Sequence, residues 1–324
     1  MTGRIDGLDL LDTLPEPGHI LYAFPSRPAA DRRLLDDLAV DWAAGKDLLN
    51  APGARERLRH ACVGDLLARA YPGLRPDRAA PLAAWLAWLF VIDDHHDVDD
   101  HHGVHDHHDR ARQDREELSR LARALAHIWR RVAPAQSPAW RTRFLTHVRE
   151  FLSAFRDEGA NRRTGHVPAL RDYVPLRRAS GGITPCLDLL EYSTGLEVPP
   201  ALHDTEPLRV MFDRAADVVV WVNDAISLKK ELAIGETNNG VLVVQREHAM
   251  SLQDAVRHVY ARVTRDVQEF LAAERELHNG RARISDSERT ALLSLITGMK
   301  AWMRGNLDWS ARAGRYGPDG ISRP

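Results

Sequence analysis

The sequence is poor in cysteine. With only Cys62 and Cys186 in 324 residues, a disulfide framework and a Cys-built zinc site are both excluded, and a reducing compartment fits best. Charge of one sign is lacking too: 44 Lys+Arg stand against 46 Asp+Glu for a net charge of −2, which argues against nucleic acid as a partner bound through bulk charge. Long apolar runs are missing, since no stretch approaches the roughly 18 residues of a membrane span. Met1 to Thr13 carries acids where a signal peptide needs a basic patch and an apolar core. These absences point to the cytoplasm and to no membrane partner. What the chain does have is local: seven of its sixteen histidines lie between His95 and His108.

β-Branched alternation is also scarce. From Pro28 to Gly314 the chain reads as successive segments rich in Leu, Ala, Arg and Glu, with apolar residues three or four apart, the period of helices packed on a core. The pattern predicts helices near 30–46, 53–71, 80–97, 112–133, 137–158, 168–180, 183–193, 206–232, 249–277 and 286–313. Breaks are expected at Pro52-Gly53, Pro72-Gly73, Pro76, Pro81, Gly103, Gly159, Gly181-Gly182, Pro199-Pro200, Gly235 and Gly280. Residues 1–27, with Pro15, Pro17 and Pro25, read as an extended arm. No linker divides the remainder, so 28–324 is expected to be one all-α domain with room for a central cavity.

From Asp93 to Asp109 the sequence is DDHHDVDDHHGVHDHHD, directly after the apolar PLAAWLAWLFVI. Beyond Asp99 this composition is that of a His-rich tract that binds metal loosely. The first five residues differ. On a helix, Asp93 and Asp97 share a face that Phe90 and Leu86 continue towards the N-terminus. Carboxylates ending an apolar stripe require a compensating cation, and oxygen ligands suit Mg²⁺ shared with a phosphate. A zinc site from His95, His96, His101 and His102 stays open as an alternative, although adjacent His pairs lack the one-face i, i+4 spacing.

A second stripe lies in DVVVWVNDAISLKKE. Asn223, Ser227 and Glu231 are spaced i, i+4, i+8, so an amide, a hydroxyl and a carboxylate line one helix face, and each can give oxygen to a hard cation. Ala216, Val219 and Val220 precede them on nearly the same stripe. Two helices that each end an apolar wall in oxygen ligands describe a pocket that is apolar below, with cations and a phosphate at its mouth.

These residues carry a resemblance. Asp93-Asp94-His95-His96-Asp97 resembles the DDxxD motif of bacterial class I terpene synthases, and Asn223 to Glu231 resembles their NDxxSxxKE motif at every specified position. A prenyl-chain elongase would instead need a second aspartate-rich motif there. Arg177 in LRRASGG resembles the family's diphosphate-sensing arginine, followed by a helix break at Gly181-Gly182; Ser180 stands where many relatives carry Asp, and Arg178 remains an alternative sensor. Arg315-Tyr316, after Trp309, resembles the terminal Arg-Tyr pair.

The resemblance implies an all-α class I terpenoid synthase fold. It further implies three Mg²⁺ ions held by Asp93, Asp97, Asn223, Ser227 and Glu231, with Arg177, Lys230, Arg315 and Tyr316 acting on the diphosphate. Ser180 and Gly181 would border the substrate. The implied reaction is ionisation of an isoprenoid diphosphate, farnesyl diphosphate first, and cyclisation to a sesquiterpene. Phe90, Phe212 and Trp309 are the aromatics expected to face the carbocation, whereas Trp88 and Trp221 point away in helical phase. Use of geranylgeranyl diphosphate, a homodimer, and a non-enzymatic metal-binding role for the His/Asp tract are the readings left beside it.

Overall fold

The computed structural model describes residues 11–27, 31–99, 107–279 and 284–313; the side chains of 95–99, 107–114 and 234 fall outside that description. Thirteen α-helices follow one another among the described residues. They are α1 (Arg32–Ala44), α2 (Ala54–His60), α3 (Val63–Ala70), α4 (Pro76–Asp99), α5 (His107–Val132), α6 (Pro138–Thr164) and α7 (Leu170–Ser180), then α8 (Ile183–Thr194), α9 (Pro200–His203), α10 (Glu206–Ile234), α11 (Gly240–His248), α12 (Leu252–Asn279) and α13 (Asp286–Ser310). The all-α expectation holds. No helix among the described residues is long and apolar enough to cross a membrane.

Helix α10 is the centre of the bundle. Val218, Val219, Val220, Trp221 and Val222 are all buried, so this stretch is apolar all round, as a helix enclosed by others must be. It packs on α7, α8, α11, α12 and α13. Helix α4 is similarly enclosed from Leu82 to Trp88. These two helices present the two ligand stripes to a shared interior.

Several boundaries differ from the sequence-based expectation. The helix over 53–71 is two, split at Cys62, which adopts a left-handed conformation (φ 49°, ψ 50°) without a glycine to signal it. The split lets the Asp36 carboxylate accept a 2.6 Å hydrogen bond from the Gly64 amide. Pro81 lies inside α4 and Gly159 inside α6; neither ends its helix, and α6 runs to Thr164 before Gly165 closes it at φ 64°. Helix α11 has no counterpart in the expected set. Its amphipathic run is short, and its start is fixed by Asn239, whose side chain accepts from the Val241 amide at 2.8 Å, a standard N-cap.

The N-terminal arm is not wholly extended, because Ile20–Ala23 forms a 3-10 turn. Arg304 of α13 donates to the Tyr22 and Phe24 carbonyls at 3.0 and 2.9 Å, and Arg69 of α3 donates to the Arg27 carbonyl at 2.7 Å. The arm thereby straps α3 to α13.

Candidate active site

A cavity of about 1180 Å³, counting its open mouth, is enclosed by α3, α4, α6, α7, α8, α10 and α13. Its floor is apolar: Leu66, Leu86, Ile183, Val219 and Trp302 line it. Cys186 also borders the floor, with its sulfur accepting from the Trp85 indole at 3.2 Å. Burial pushes that thiol up to about 12, so it stays protonated and offers no thiolate.

Two aromatic rings close one side. Phe90 and Trp309 meet edge to face with centroids 5.6 Å apart. The indole N–H of Trp309 donates to the Ala61 and Cys62 carbonyls at 2.8 and 3.2 Å, so the kink at Cys62 supplies acceptors that fix the ring. Phe151 and Phe155 of α6 add to the wall, and the sequence pattern had not marked them.

The third expected aromatic is not there. Phe212 lies on the stripe of Asn223 but eleven residues earlier, about 16 Å down the helix, and the cavity ends at Val219. Its ring packs against His203 instead, with centroids 5.5 Å apart. Trp88 and Trp221 point elsewhere as expected: the Trp88 indole donates to the Leu121 carbonyl at 3.0 Å, and Trp221 lies under the Arg262 guanidinium.

The polar residues gather at the mouth. Asp93 on α4 and Asn223, Lys230 and Glu231 on α10 all border the cavity, while Asp94 turns outward to Arg57 at 4.0 Å. Ser227 lies between Asn223 and Glu231 on the same helix face, and its hydroxyl is buried. Its neighbour on the stripe is the Glu231 carboxylate, and an amide, a hydroxyl and a carboxylate on one helix face form a donor set that suits a hard cation. Among the described residues no three His, Cys, Asp or Glu side chains converge into a closed cage; the two walls would meet through a ligand between them. The side chains of Asp97 and of the seven histidines from His95 to His108, with Arg315 and Tyr316, lie outside the described residues.

Arg177 borders the cavity and Arg178 does not. Arg178 donates Nε and Nη2 to both oxygens of Asp217 at 2.7 and 2.8 Å, a pairing that occupies its fork. Arg177 donates Nε to Asp224 Oδ1 at 2.9 Å and Nη2 to Asn223 Oδ1 at 3.1 Å. Asp224 is the anchor of the region. It is fully buried and also accepts from the Tyr173 hydroxyl at 2.6 Å and the Gly240 amide at 3.0 Å. Asn239 completes the hub by donating to the Asp224 carbonyl at 2.7 Å and to Glu231 Oε2 at 2.8 Å. The α11 cap and the α10 ligand stripe are thus one structure.

Burial pushes the Glu231 carboxyl up to about 7, with the Asp224 charge adding to the shift and Ser227, Asn239 and Arg177 opposing it. A cation there would restore the carboxylate and release a proton.

Glu158 on α6 also escaped the sequence reading, because its surroundings, RDEGANRR, read as a solvated face. It is buried, and the Ser180 hydroxyl donates to it. Burial raises it to about 7, against the pull of the nearby Arg177 charge and the Ser180 hydrogen bond. Asn238 donates to the Glu158 carbonyl at 3.1 Å, and Arg162 donates to Glu236 at 2.5 Å, so the segment after Gly235 is tied to α6.

Glu158 has a pH consequence. The folded chain keeps a proton that the unfolded chain releases above its ordinary carboxyl value, so the contribution is full below about pH 4.5 and is lost as pH rises through 7. Glu158→Gln removes the titration. The variant is expected to match the parent near pH 4.5 and to exceed it by about 3 kcal/mol at pH 8, read as denaturation midpoints at both pH values; a difference independent of pH would refute the assignment.

The helical break falls at Gly181-Gly182 as expected, and the two glycines serve it differently. Gly181 has ordinary helical angles (φ −67°, ψ −10°), and the left-handed turn is made by Gly182 at φ 65°. Gly181 is required by space: a Cβ there would overlap Val220 Cγ1 and stand 3.2 Å from the Arg177 carbonyl.

An all-α bundle that sets an aspartate and an Asn/Ser/Glu stripe on opposite walls above an apolar cavity defines a class I terpene synthase architecture. Residues 84–269 match the family described as terpene synthase family 2, C-terminal metal binding. The chain is 31% identical to a (+)-T-muurolol synthase of Roseiflexus castenholzii over 310 residues, covering 92% of this chain and 93% of that one. It is 32% identical to a pristinol synthase of Streptomyces pristinaespiralis, covering 94% of this chain and 86% of the relative. In fold it is similar to a linalool/nerolidol synthase structure from Streptomyces clavuligerus, with TM-score 0.76, 24% identity and coverage of 88% and 98%. The chain belongs to the terpene synthase family and is an enzyme of that family, a lyase acting on isoprenoid diphosphates.

Proposed function

We propose that this enzyme ionises farnesyl diphosphate and cyclises the resulting cation to a sesquiterpene, with release of diphosphate. The observation that carries this reading is that Asp93 on α4 and Asn223 and Glu231 on α10 border the mouth of one cavity whose floor is apolar. The named specificity of the muurolol synthase relative, "(2E,6E)-farnesyl diphosphate cyclizing", supports the substrate.

Magnesium, three ions by the family resemblance, would supply positive charge for the departing diphosphate. Asp93 and Asp97 would hold it from α4, and Asn223, Ser227 and Glu231 from α10. The chain's own residues do the rest. Arg177 and Lys230 add positive charge and hydrogen-bond donors at the mouth, where leaving-group charge develops, and Arg315 and Tyr316 would complete the set on closure. The floor excludes water, which would otherwise quench the cation. The faces of Phe90 and Trp309 stabilise it by about 0.5–2 kcal/mol per contact.

Incubation of the purified chain with geranyl, farnesyl and geranylgeranyl diphosphates and Mg²⁺, followed by mass spectrometry of the volatile products, tests the reading. A cyclic C15 hydrocarbon or alcohol from farnesyl diphosphate is expected. Turnover confined to the C20 substrate would make the enzyme a diterpene synthase, and no turnover of any would refute the proposal.

A further inference from the structure

One amide interrupts the aromatic wall that α13 gives the cavity. Asn306 is 3% exposed and borders the cavity between Trp302 and Trp309, four residues after the first and three before the second, so all three share one helix face. The charged and amide side chains that line the rest of the cavity come from α4, α6, α7, α10 and the segment after Gly235. Asn306 stands apart from them.

The orientation of its amide is fixed. Nδ2 donates to the Val219 carbonyl at 3.3 Å, and because a carbonyl can only accept, the nitrogen must occupy that end and the oxygen the other. Among the described residues no donor reaches Oδ1, which leaves it facing the cavity. Val219 lies one helical turn before Asn223, so this oxygen sits roughly 6 Å below the start of the ligand stripe. That is the depth of the first carbons of a chain whose diphosphate occupies the mouth. We propose that Asn306 is a specificity-determining residue: its oxygen stabilises positive charge on the carbons nearest α13 and so decides which cation lasts long enough to become product. The proposal rests on the reading of the cavity as the place where a carbocation forms.

The tie to Val219 accounts for only half of the amide. A side chain kept solely to bind α13 to α10 would use its nitrogen, and the unpaired oxygen in a nearly dry cavity would then be a net cost. Facing a cation, the same oxygen is a gain. Its dipole is held in place by the bond at the other end, so it needs no reorganisation as charge arrives, and little water is present to screen it. The neighbouring rings act differently. Phe90 and Trp309 attract positive charge over the breadth of their faces, whereas a single oxygen favours one position, and a positional preference is what separates one product from another.

The test compares Asn306→Leu, which keeps the branching of the side chain without its oxygen, with Asn306→Ala, which removes oxygen and bulk together. The full-length proteins are given Mg²⁺ and the isoprenoid diphosphate that the parent turns over fastest, and products are resolved by gas chromatography and mass spectrometry beside diphosphate release and thermal denaturation. Both variants are expected to lose the parent's principal product about tenfold relative to the remaining products, equivalent to about 1.4 kcal/mol between competing barriers. Total diphosphate release should stay within about tenfold of the parent, because ionisation is driven from the mouth. Where Asn306→Leu fails to fold, Asn306→Met, apolar and more adaptable, takes its place. An unchanged product ratio in the Leu or Met variant, with or without a fall in turnover or melting temperature, reduces Asn306 to a tie between two helices and overturns the proposal. A ratio altered in Asn306→Ala alone assigns the effect to bulk and overturns it too. Absence of turnover in the parent refutes the proposed function, and this inference with it.

Discussion

Replacing Asn223 or Glu231 with alanine is expected to lower diphosphate release from the isoprenoid substrate by about 10³-fold, and Asp93→Ala should do the same from the opposite wall. The size follows from the chemistry. The thiol that borders the cavity floor is held protonated, so the floor presents no thiolate to displace the diphosphate. Ionisation therefore depends on positive charge concentrated at the mouth, and each ligand removed withdraws an ion or misplaces it. Stability should change little by comparison. Asn223→Ala would lose the hydrogen bond from Arg177, worth about 1 kcal/mol, and Glu231→Ala that from Asn239, offset by removal of a carboxyl whose charging is opposed by burial. Diphosphate release and product yield, measured beside circular dichroism, separate the two effects. Turnover within about tenfold of the parent, in a folded Asn223→Ala protein, would place the metal chemistry elsewhere.

That site was largely legible in the sequence because its ligands are periodic. Asp93 continues the Leu86 and Phe90 stripe, and Asn223, Ser227 and Glu231 repeat every four residues, so helical geometry alone put each set on one face. The structure adds that these faces meet over one cavity. What the sequence concealed is the supporting polar hub. Asp224 is joined to Tyr173 and Arg177, some fifty residues earlier, and Glu158 is joined to Ser180. Pairs between separate helices leave no local pattern, and a buried acid in RDEGANRR has the composition of a solvated one. The same reasoning explains Phe212, whose phase was read correctly while its depth along α10 was not encoded in phase. It also explains the kink at Cys62, where a left-handed residue without glycine or proline gives no signal. Yet the kink supplies the carbonyls that orient Trp309.

Gly181→Ala is expected to cost about 10²-fold in turnover and about 1–3 kcal/mol in stability. The added methyl would overlap Val220 Cγ1 on α10 and meet the Arg177 carbonyl at 3.2 Å. Val220 is buried, and a β-branched side chain in a helix has essentially one χ1 rotamer, so it cannot swing aside. The α7–α8 junction must then retreat from α10 by roughly 1 Å to reach ordinary contact distance. Arg177 sits one turn before that junction and reaches α10 through bonds of 2.9 and 3.1 Å, which a retreat of that size would break. Two explanations of the glycine make different forecasts. If it is needed for close packing of α7 on α10, adding Val220→Ala should recover much of the lost stability and turnover, after allowance for Val220→Ala alone. If it is needed because bare backbone must approach the substrate, the second substitution should restore stability and leave turnover low. Gly182→Ala provides the contrast. It places a methyl 3.2 Å from Leu89 and 3.3 Å from Phe151 and imposes left-handed strain of about 1 kcal/mol that no change at Val220 can relieve. Recovery of Gly181→Ala, but not Gly182→Ala, by Val220→Ala would assign the first glycine to the α7–α10 contact and the second to the turn.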